Sequence, residues 1–318
     1  MGAALRIDVH AHYFPEKYLD RLDRYGSTQS TLHIRKNKLV AEGPLDVADL
    51  LRNMDMGCVD VQILSVSNQL PYFDGESDAV DAAKLGNDIY AEVVKKYPRR
   101  FAAFACTPLP HITASIEEIG RALDDLGMVG ITAGTTVCGT SIADPAFHEF
   151  FAELNRRKAV LFLHPMGGNA GSPLIESAKL TWPIGAPLED TICMLQLMQA
   201  EMPAHFPDVK IILPHLGGFA PFLAVRLDRL RARFLPDSAV LPSVQAKSFW
   251  YDSVNSNPWA LRCAWEAVGA ERILFGSDYP FWHDDAYVCS VEYVREAGLT
   301  AKEVEGVLGG NAESLLGI

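Results

Sequence analysis

Eight short apolar runs recur along this chain, at residues 5–10, 59–67, 101–107, 129–134, 159–164, 209–215, 249–254 and 272–277. Between them lie stretches whose apolar residues return every three or four positions, over 46–56, 78–96, 112–126, 144–157, 187–202, 220–234 and 258–268. That is the period of a helix with one buried face. Runs that are almost continuously apolar suit strands of a parallel sheet covered by helices. Eight such units in 318 residues predict an α/β fold, a single-domain (β/α)8 TIM barrel over residues 1–318, rather than a doubly wound sheet. In that fold reactive groups sit at the C-terminal ends of the strands, so those ends are where chemistry is sought.

Four of the ends carry residues able to bind a divalent metal: Asp8-Val9-His10-Ala11-His12, Leu163-His164-Pro165, Pro214-His215-Leu216 and Gly276-Ser277-Asp278. Side chains alternate across a strand, so His10 and His12 share a face and reach a common ion, and Asp8 has the same parity at a deeper position. A zinc, iron or manganese site needs neutral imidazoles, a carboxylate and an open position. The histidine pair, a further histidine and a strand-end aspartate supply that set. Each residue alone has a plainer explanation, Asp278 as the cap of a turn and His215 as partner of a backbone carbonyl. Five of them at the ends of strands one, five, six and eight form a constellation that packing does not call for.

Two segments break the rhythm. Residues 18–44, with Gly26-Ser27-Thr28 and Arg35-Lys36-Asn37-Lys38, read as a hairpin or flap inserted after the first strand, and residues 166–186 as a long glycine-rich loop after the fifth. Loops of such length in a compact domain are usually functional lids or disordered linkers, and lids are the expected reading because both of these leave strands that carry candidate ligands. The net charge of −12 comes with no basic run able to follow a phosphate backbone, so nucleic acid is not an expected partner. Six cysteines without a CxxC pair fit reduced, mostly buried thiols. No stretch approaches the roughly 18 apolar residues of a membrane span. Met1-Gly2-Ala3-Ala4 carries neither a basic-then-apolar leader nor a myristoylation signal. A soluble, cytoplasmic protein with no membrane partner is expected.

The motifs, in this order, resemble the amidohydrolase superfamily: His10-Ala11-His12, His164-Pro165, His215-Leu216-Gly217-Gly218, Gly276-Ser277-Asp278-Tyr279-Pro280-Phe281 and Gly310-Asn311-Ala312. More narrowly, the chain resembles the branch of metal-dependent, non-oxidative decarboxylases typified by aminocarboxymuconate semialdehyde, γ-resorcylate and 6-methylsalicylate decarboxylases. The likeness covers nearly the whole chain, including Tyr97-Pro98-Arg99-Arg100-Phe101 and the segment from Trp182 to Thr191. It implies a single zinc or manganese ion held by His10, His12, His164 and Asp278, no organic cofactor, and proton transfer by His215 and Asp278. It also implies a homodimer in which Arg226, on the helix after His215, enters a neighbouring protomer's site and binds the substrate carboxylate with its planar fork. Read alone, an arginine near Asp228 is a solvated salt-bridge former. The aminocarboxymuconate enzymes place an arginine on the flap where this sequence reads Lys38-Leu39-Val40-Ala41-Glu42. With only Arg35 and Lys36 to compensate, the expected substrate is a monocarboxylated acid rather than a doubly acidic muconate.

Two chemistries fit such a site. In the first, a small aromatic acid of the 2-hydroxybenzoate type, or a related unsaturated carboxylic acid, chelates the ion while an acid protonates the ring carbon that loses CO2. In the alternative, a lactone or amide is hydrolysed, the ion activating water and polarising a carbonyl, with Asp278 or His215 accepting the proton. The first requires an apolar, aromatic-lined pocket with one cationic group. Trp182, Phe281, Trp282, Tyr72 and Phe73 are the candidate linings, Tyr72 and Phe73 being equally suited to core packing. A non-catalytic sensor of small acids is a third reading. A closed structural metal site would have another protein ligand in its fourth position and no spare histidine at an open mouth.

Overall fold

The computed structural model describes residues 5–37, 39–41 and 44–318. All eight predicted strands form: β1 (Ile7–His12), β2 (Val61–Ser65), β3 (Phe101–Ala105), β4 (Gly130–Gly134), β5 (Val160–His164), β6 (Lys210–Leu213), β7 (Trp250–Asp252) and β8 (Ile273–Leu274). They are hydrogen-bonded in chain order and parallel at every pairing. The ring closes beside β8, where Val9 N–H donates to the Phe275 carbonyl at 2.9 Å and Asp278 N–H to the His10 carbonyl at 2.8 Å. Closure removes the sheet edges and fixes which residues reach the mouth. Around the barrel run α1 (Glu16–Arg24), α2 (Thr28–Lys36), α3 (Pro44–Gly57), α4 (Glu76–Lys96), α5 (Ile112–Gly120), α6 (His148–Arg157), α7 (Ala186–Gln199), α8 (Ala220–Phe234), α9 (Pro258–Val268), α10 (Asp285–Glu296) and α11 (Asn311–Leu316). Among the described residues no helix is long and apolar enough to cross a membrane.

Two apolar cores explain the continuous hydrophobic runs. Alternate strand residues Ile7, Val9, Ile63, Phe104, Phe162 and Leu274 fill the barrel, together with Ala312 and Leu315 of α11. Phe104 and Phe162 stack at 5.5 Å although β4 separates their strands, so they meet across the interior. The other set, such as Leu161, Leu163, Ile211, Leu213 and Phe275, packs outward against the helices.

The expected alternation fails at one point. Asp8 pairs with Gln62 but Ala11 with Leu64, so three steps on β1 oppose two on β2. This bulge reverses the parity between Asp8 and the histidines. His10 comes round to the interior, its ring edge-on to Phe162 at 5.0 Å. Asp8 is turned toward the helices instead, accepting from Gln62 Nε2 at 2.7 Å, Ser277 Oγ at 2.6 Å and the Tyr287 hydroxyl of α10 at 3.3 Å. It is a strut beneath the site, on a different face from His10 and His12.

The segment read as a hairpin or flap holds the helices α1 and α2, its base closed by a short parallel pairing of Phe14–Pro15 with Val40–Ala41. Helix wins because Tyr18, Leu19 and Leu22 fall at helical spacing and bury one face. Lys38 and Glu42 lie outside the described residues. The cysteines also differ from expectation: all six are free, but only Cys106 and Cys193 are buried. Cys58 and Cys138 stand in turns, where a side chain has no second layer to cover it.

Phe162 is fully buried beneath His10. Phe162→Ala should therefore lower unfolding free energy by about 3–5 kcal/mol, read as a reduced urea midpoint at unchanged m-value.

Candidate metal centre and cavity

β1, the end of β5 and the turn after β8 bring His10, His12, His164 and Asp278 to one point at the barrel mouth, with one ligand atom of each within 4.8 Å of all the others. His10 Nε2 and His12 Nε2 are 3.1 Å apart, and Asp278 Oδ1 stands 3.3 and 3.1 Å from them. The three histidines are buried. Their orientations have causes in the surrounding fold. His10 Nδ1 lies 2.6 Å from Asp252 Oδ2, and His164 Nδ1 2.8 Å from the Pro165 carbonyl. A carbonyl only accepts, so His164 carries its hydrogen on Nδ1 and leaves an Nε2 lone pair buried and without a hydrogen-bond partner among the described residues. Ring nitrogens and a carboxylate oxygen converging so closely suit one shared cation. The donor set fits a divalent ion.

The electrostatics point the same way. Burial disfavours a charged His10, but Asp252 and Asp278 overcome that and raise its pKa to about 10. The carboxylates thus favour a positive charge at this point. Burial holds His12 below the ordinary histidine range and His164 well below it. Burial also works against a charged Asp278, yet His10 and His12 hold its carboxyl well below the usual range.

Beside these four stands His215, which the structure brings to the same mouth, its ring 5.4 Å from that of His10. Its backbone and those of Leu216 and Asp278 are left-handed, at φ 52°, 58° and 61°. Such backbone is strained in non-glycine residues and is kept only where surrounding contacts impose it. One such contact is visible at Gly218, where a Cβ would fall 1.9 Å from the Pro187 carbonyl oxygen. Asp252 Oδ1 accepts from His215 N–H at 2.8 Å, so one carboxylate holds both the His10 ring and the His215 backbone. Asp190 of α7 holds the ring, its Oδ2 2.8 Å from His215 Nδ1. Burial pushes the Asp190 carboxyl up to about 6 against the pull of His215. For His215, burial is outweighed by the hydrogen bond and charge of Asp190, and its pKa rises.

Asp190 and Asp252 are absent from the sequence-derived set. Asp252 had a usable signal, as a polar residue ending the seventh apolar run; Asp190 had only its place within the segment from Trp182 to Thr191.

A cavity of about 420 Å³ opens above the centre. His164, His215 and Asp278 form part of its lining, with Trp182, Phe281 and Trp282 as its aromatic walls and His33 of α2 at its edge. Tyr72 and Phe73 lie elsewhere. The Tyr72 hydroxyl accepts from Gly134 N–H at 2.9 Å, and Phe73 packs against Tyr25. Arg226 is exposed on α8, outside this cavity. Arg35 is bound to Asp20 and Asp23, its Nη2 at 2.7 and 2.9 Å from their carboxylates, and does not line the cavity. Among the described residues no lysine or arginine lines the cavity.

A family model described as amidohydrolase matches residues 7–318. The 2-amino-3-carboxymuconate-6-semialdehyde decarboxylase of Dictyostelium discoideum is 28% identical over 99% of this chain and 92% of its own. The 6-methylsalicylic acid decarboxylase of Penicillium expansum is 31% identical, over 88% and 86%. Among solved structures, a dihydroxybenzoic acid decarboxylase from a Polaromonas species, with bound manganese and the inhibitor 2-nitroresorcinol, matches with a TM-score of 0.81 at 22% identity, over 99% of this chain and 97% of that one. The barrel is thus shared with it.

Purified protein should hold about one divalent ion per chain by elemental analysis, and His164→Ala should lower that occupancy. Asp252→Asn should weaken metal affinity by about 10- to 100-fold, since it frees the His10 ring without removing a ligand. Undiminished affinity in both variants would place the ion elsewhere.

Proposed function

The chain belongs to the amidohydrolase family, and from that premise we propose that it is a metal-dependent, non-oxidative decarboxylase of a small aromatic acid of the 2-hydroxybenzoate type or a related unsaturated carboxylic acid. The observation that carries this reading is an aromatic-walled cavity ending on a four-donor ion site with a histidine–carboxylate pair beside it. The decarboxylase names of the relatives support it over hydrolysis of a lactone or amide.

His10, His12, His164 and Asp278 would hold one zinc or manganese ion, a set that suits either metal. When bound, the ion supplies a positive anchor for the acid's carboxylate and an adjacent ring oxygen. Trp182, Phe281 and Trp282 hold the flat ring and keep water from it. The ring carbon bearing the carboxylate takes up a proton, the C–C bond breaks with its electron pair returned to the ring, and CO2 leaves. Asp278 and His215 border the cavity and are the proposed proton carriers. His215 is the better donor: Asp190 engages its Nδ1, leaves Nε2 to the substrate, and keeps the ring protonated to higher pH. No organic cofactor is invoked.

The working unit is a homodimer in this reading, with Arg226 binding the carboxylate across the interface. Support comes from α8, where Phe222 and Val225 beside it are 81% and 66% exposed, an apolar face of the kind that pairs. The enzyme is assigned to the cytoplasm, where free thiols such as its six cysteines persist.

Given 2-hydroxybenzoate-type acids, the enzyme should release CO2 without O2, and in D2O the phenolic product should carry deuterium where the carboxylate was lost. His215→Asn should cut turnover by roughly 100-fold or more at unchanged metal content. A panel in which lactones or amides are hydrolysed and every aromatic acid is inert sinks the decarboxylase reading.

A further inference from the structure

His33 projects from the inserted helix α2 into the lining of the cavity. Its ring is stacked on Phe281 at 5.8 Å and 18°, and leans on Trp182 at 5.3 Å. Phe281 in turn meets His12 edge-on at 5.6 Å, which puts His33 one aromatic ring away from the metal centre. Packing alone does not explain a histidine here, because a phenylalanine stacks on both neighbours equally well. Yet His33 Nε2 is buried with no hydrogen-bond partner among the described residues, an uncommon and costly arrangement for a polar atom.

The character of that nitrogen follows from Asn37. Its Nδ2 lies 2.9 Å from the His33 carbonyl and 3.0 Å from His33 Nδ1. The carbonyl accepts only, so the amide presents its NH2 group here and donates to Nδ1 as well. The hydrogen of the neutral ring is then on Nε2. Burial lowers the pKa of His33, which keeps the ring neutral near pH 7. His33, a residue of the cavity lining, therefore carries on Nε2 a buried N–H donor with no acceptor among the described residues.

We propose that His33 Nε2–H donates a hydrogen bond to an oxygen substituent on the substrate's ring, on the side remote from the carboxylate, and so selects ring-oxygenated acids. The identity of the ligand rests on the decarboxylase reading above. With the carboxylate and its ortho oxygen turned to the metal centre, ring positions four and five are left to face α2. A hydroxyl at either position offers the acceptor.

The experiment compares 2-hydroxybenzoate with 2,4- and 2,5-dihydroxybenzoate, binding to manganese-loaded enzyme being followed by quenching of tryptophan fluorescence and turnover measured on the same samples. Wild type should bind at least one dihydroxy acid about 3- to 10-fold more tightly than 2-hydroxybenzoate, the range expected of one hydrogen bond. His33→Phe should bring that ratio to about one while 2-hydroxybenzoate affinity stays within about twofold, because the stacking is retained. His33→Gln, which keeps an N–H, should retain part of the preference. A wild type without preference, a preference untouched in His33→Phe, or an equal loss for all three acids in that variant overturns the proposal. Preferential binding without turnover leaves His33 standing and removes the decarboxylase reading; binding of none of the acids removes both.

Discussion

The mouth of the barrel depends on one buried carboxylate. Asp252 sends one oxygen to the His10 ring and the other to the backbone N–H groups of His215 and Val254, at 2.6, 2.8 and 3.0 Å. A buried charge is tolerated only when its lone pairs are engaged, and here that requirement joins β1, β7 and the turn after β6. His10 is thereby held with its Nε2 toward the ion site, and the strained left-handed turn at His215 is held open toward the cavity. That carboxylate is the tie between the proposed ion site and the proposed proton carrier His215. The position of one thus sets the position of the other.

That tie has force because the barrel is closed. His10 O accepts from Asp278 N–H and His12 N–H donates to the Tyr279 carbonyl, so the ladder between the first and last strands also spaces three proposed ligands. Asp8 reinforces the junction from the other face, accepting from both the Ser277 backbone and its hydroxyl at 3.0 and 2.6 Å. The spacing of the proposed ligands is therefore set by backbone geometry, which is preorganisation for an ion in the proposed reading.

Much of this was legible in the sequence, for physical reasons. Parallel strands covered on both faces are apolar at nearly every position, so the eight runs stood out, and a polar residue ending such a run is conspicuous, as His164 and Asp278 were. The misses share a cause as well. Asp8 was put on the wrong face because a bulge is a relation between two strands and leaves no mark on one of them. The insert reads as a hairpin or flap because Gly26-Ser27-Thr28 has the composition of a turn, whereas tertiary packing of Tyr18, Leu19 and Leu22 makes helix. Asp190 and His33 act through contacts with residues 25 and 248 positions away, His215 and Phe281, which no local pattern encodes.

The resulting site divides its labour by element. Groups proposed to hold the ion stand on strands or in turns tied to the ladder, where tolerances are tight, while those that would meet the acid come from insertions: His33 from α2, Trp182 from the loop after β5, Phe281 from the segment after β8. Such an arrangement lets the ring pocket vary without disturbing the metal geometry, as expected of a barrel whose loops carry specificity. It also bears on how an anion enters a chain of net charge −12 whose described cavity lining has no lysine or arginine. Protonated His215 and a divalent ion would, in the proposed reading, be the positive charges a carboxylate meets there, and in a cavity walled by aromatic rings their fields are weakly screened. In the proposed reading the ion is therefore part of substrate recognition as much as of the reaction, and the neutral donor His33 adds selectivity at the far edge of the ring without placing there a positive charge that would let the carboxylate bind in reverse.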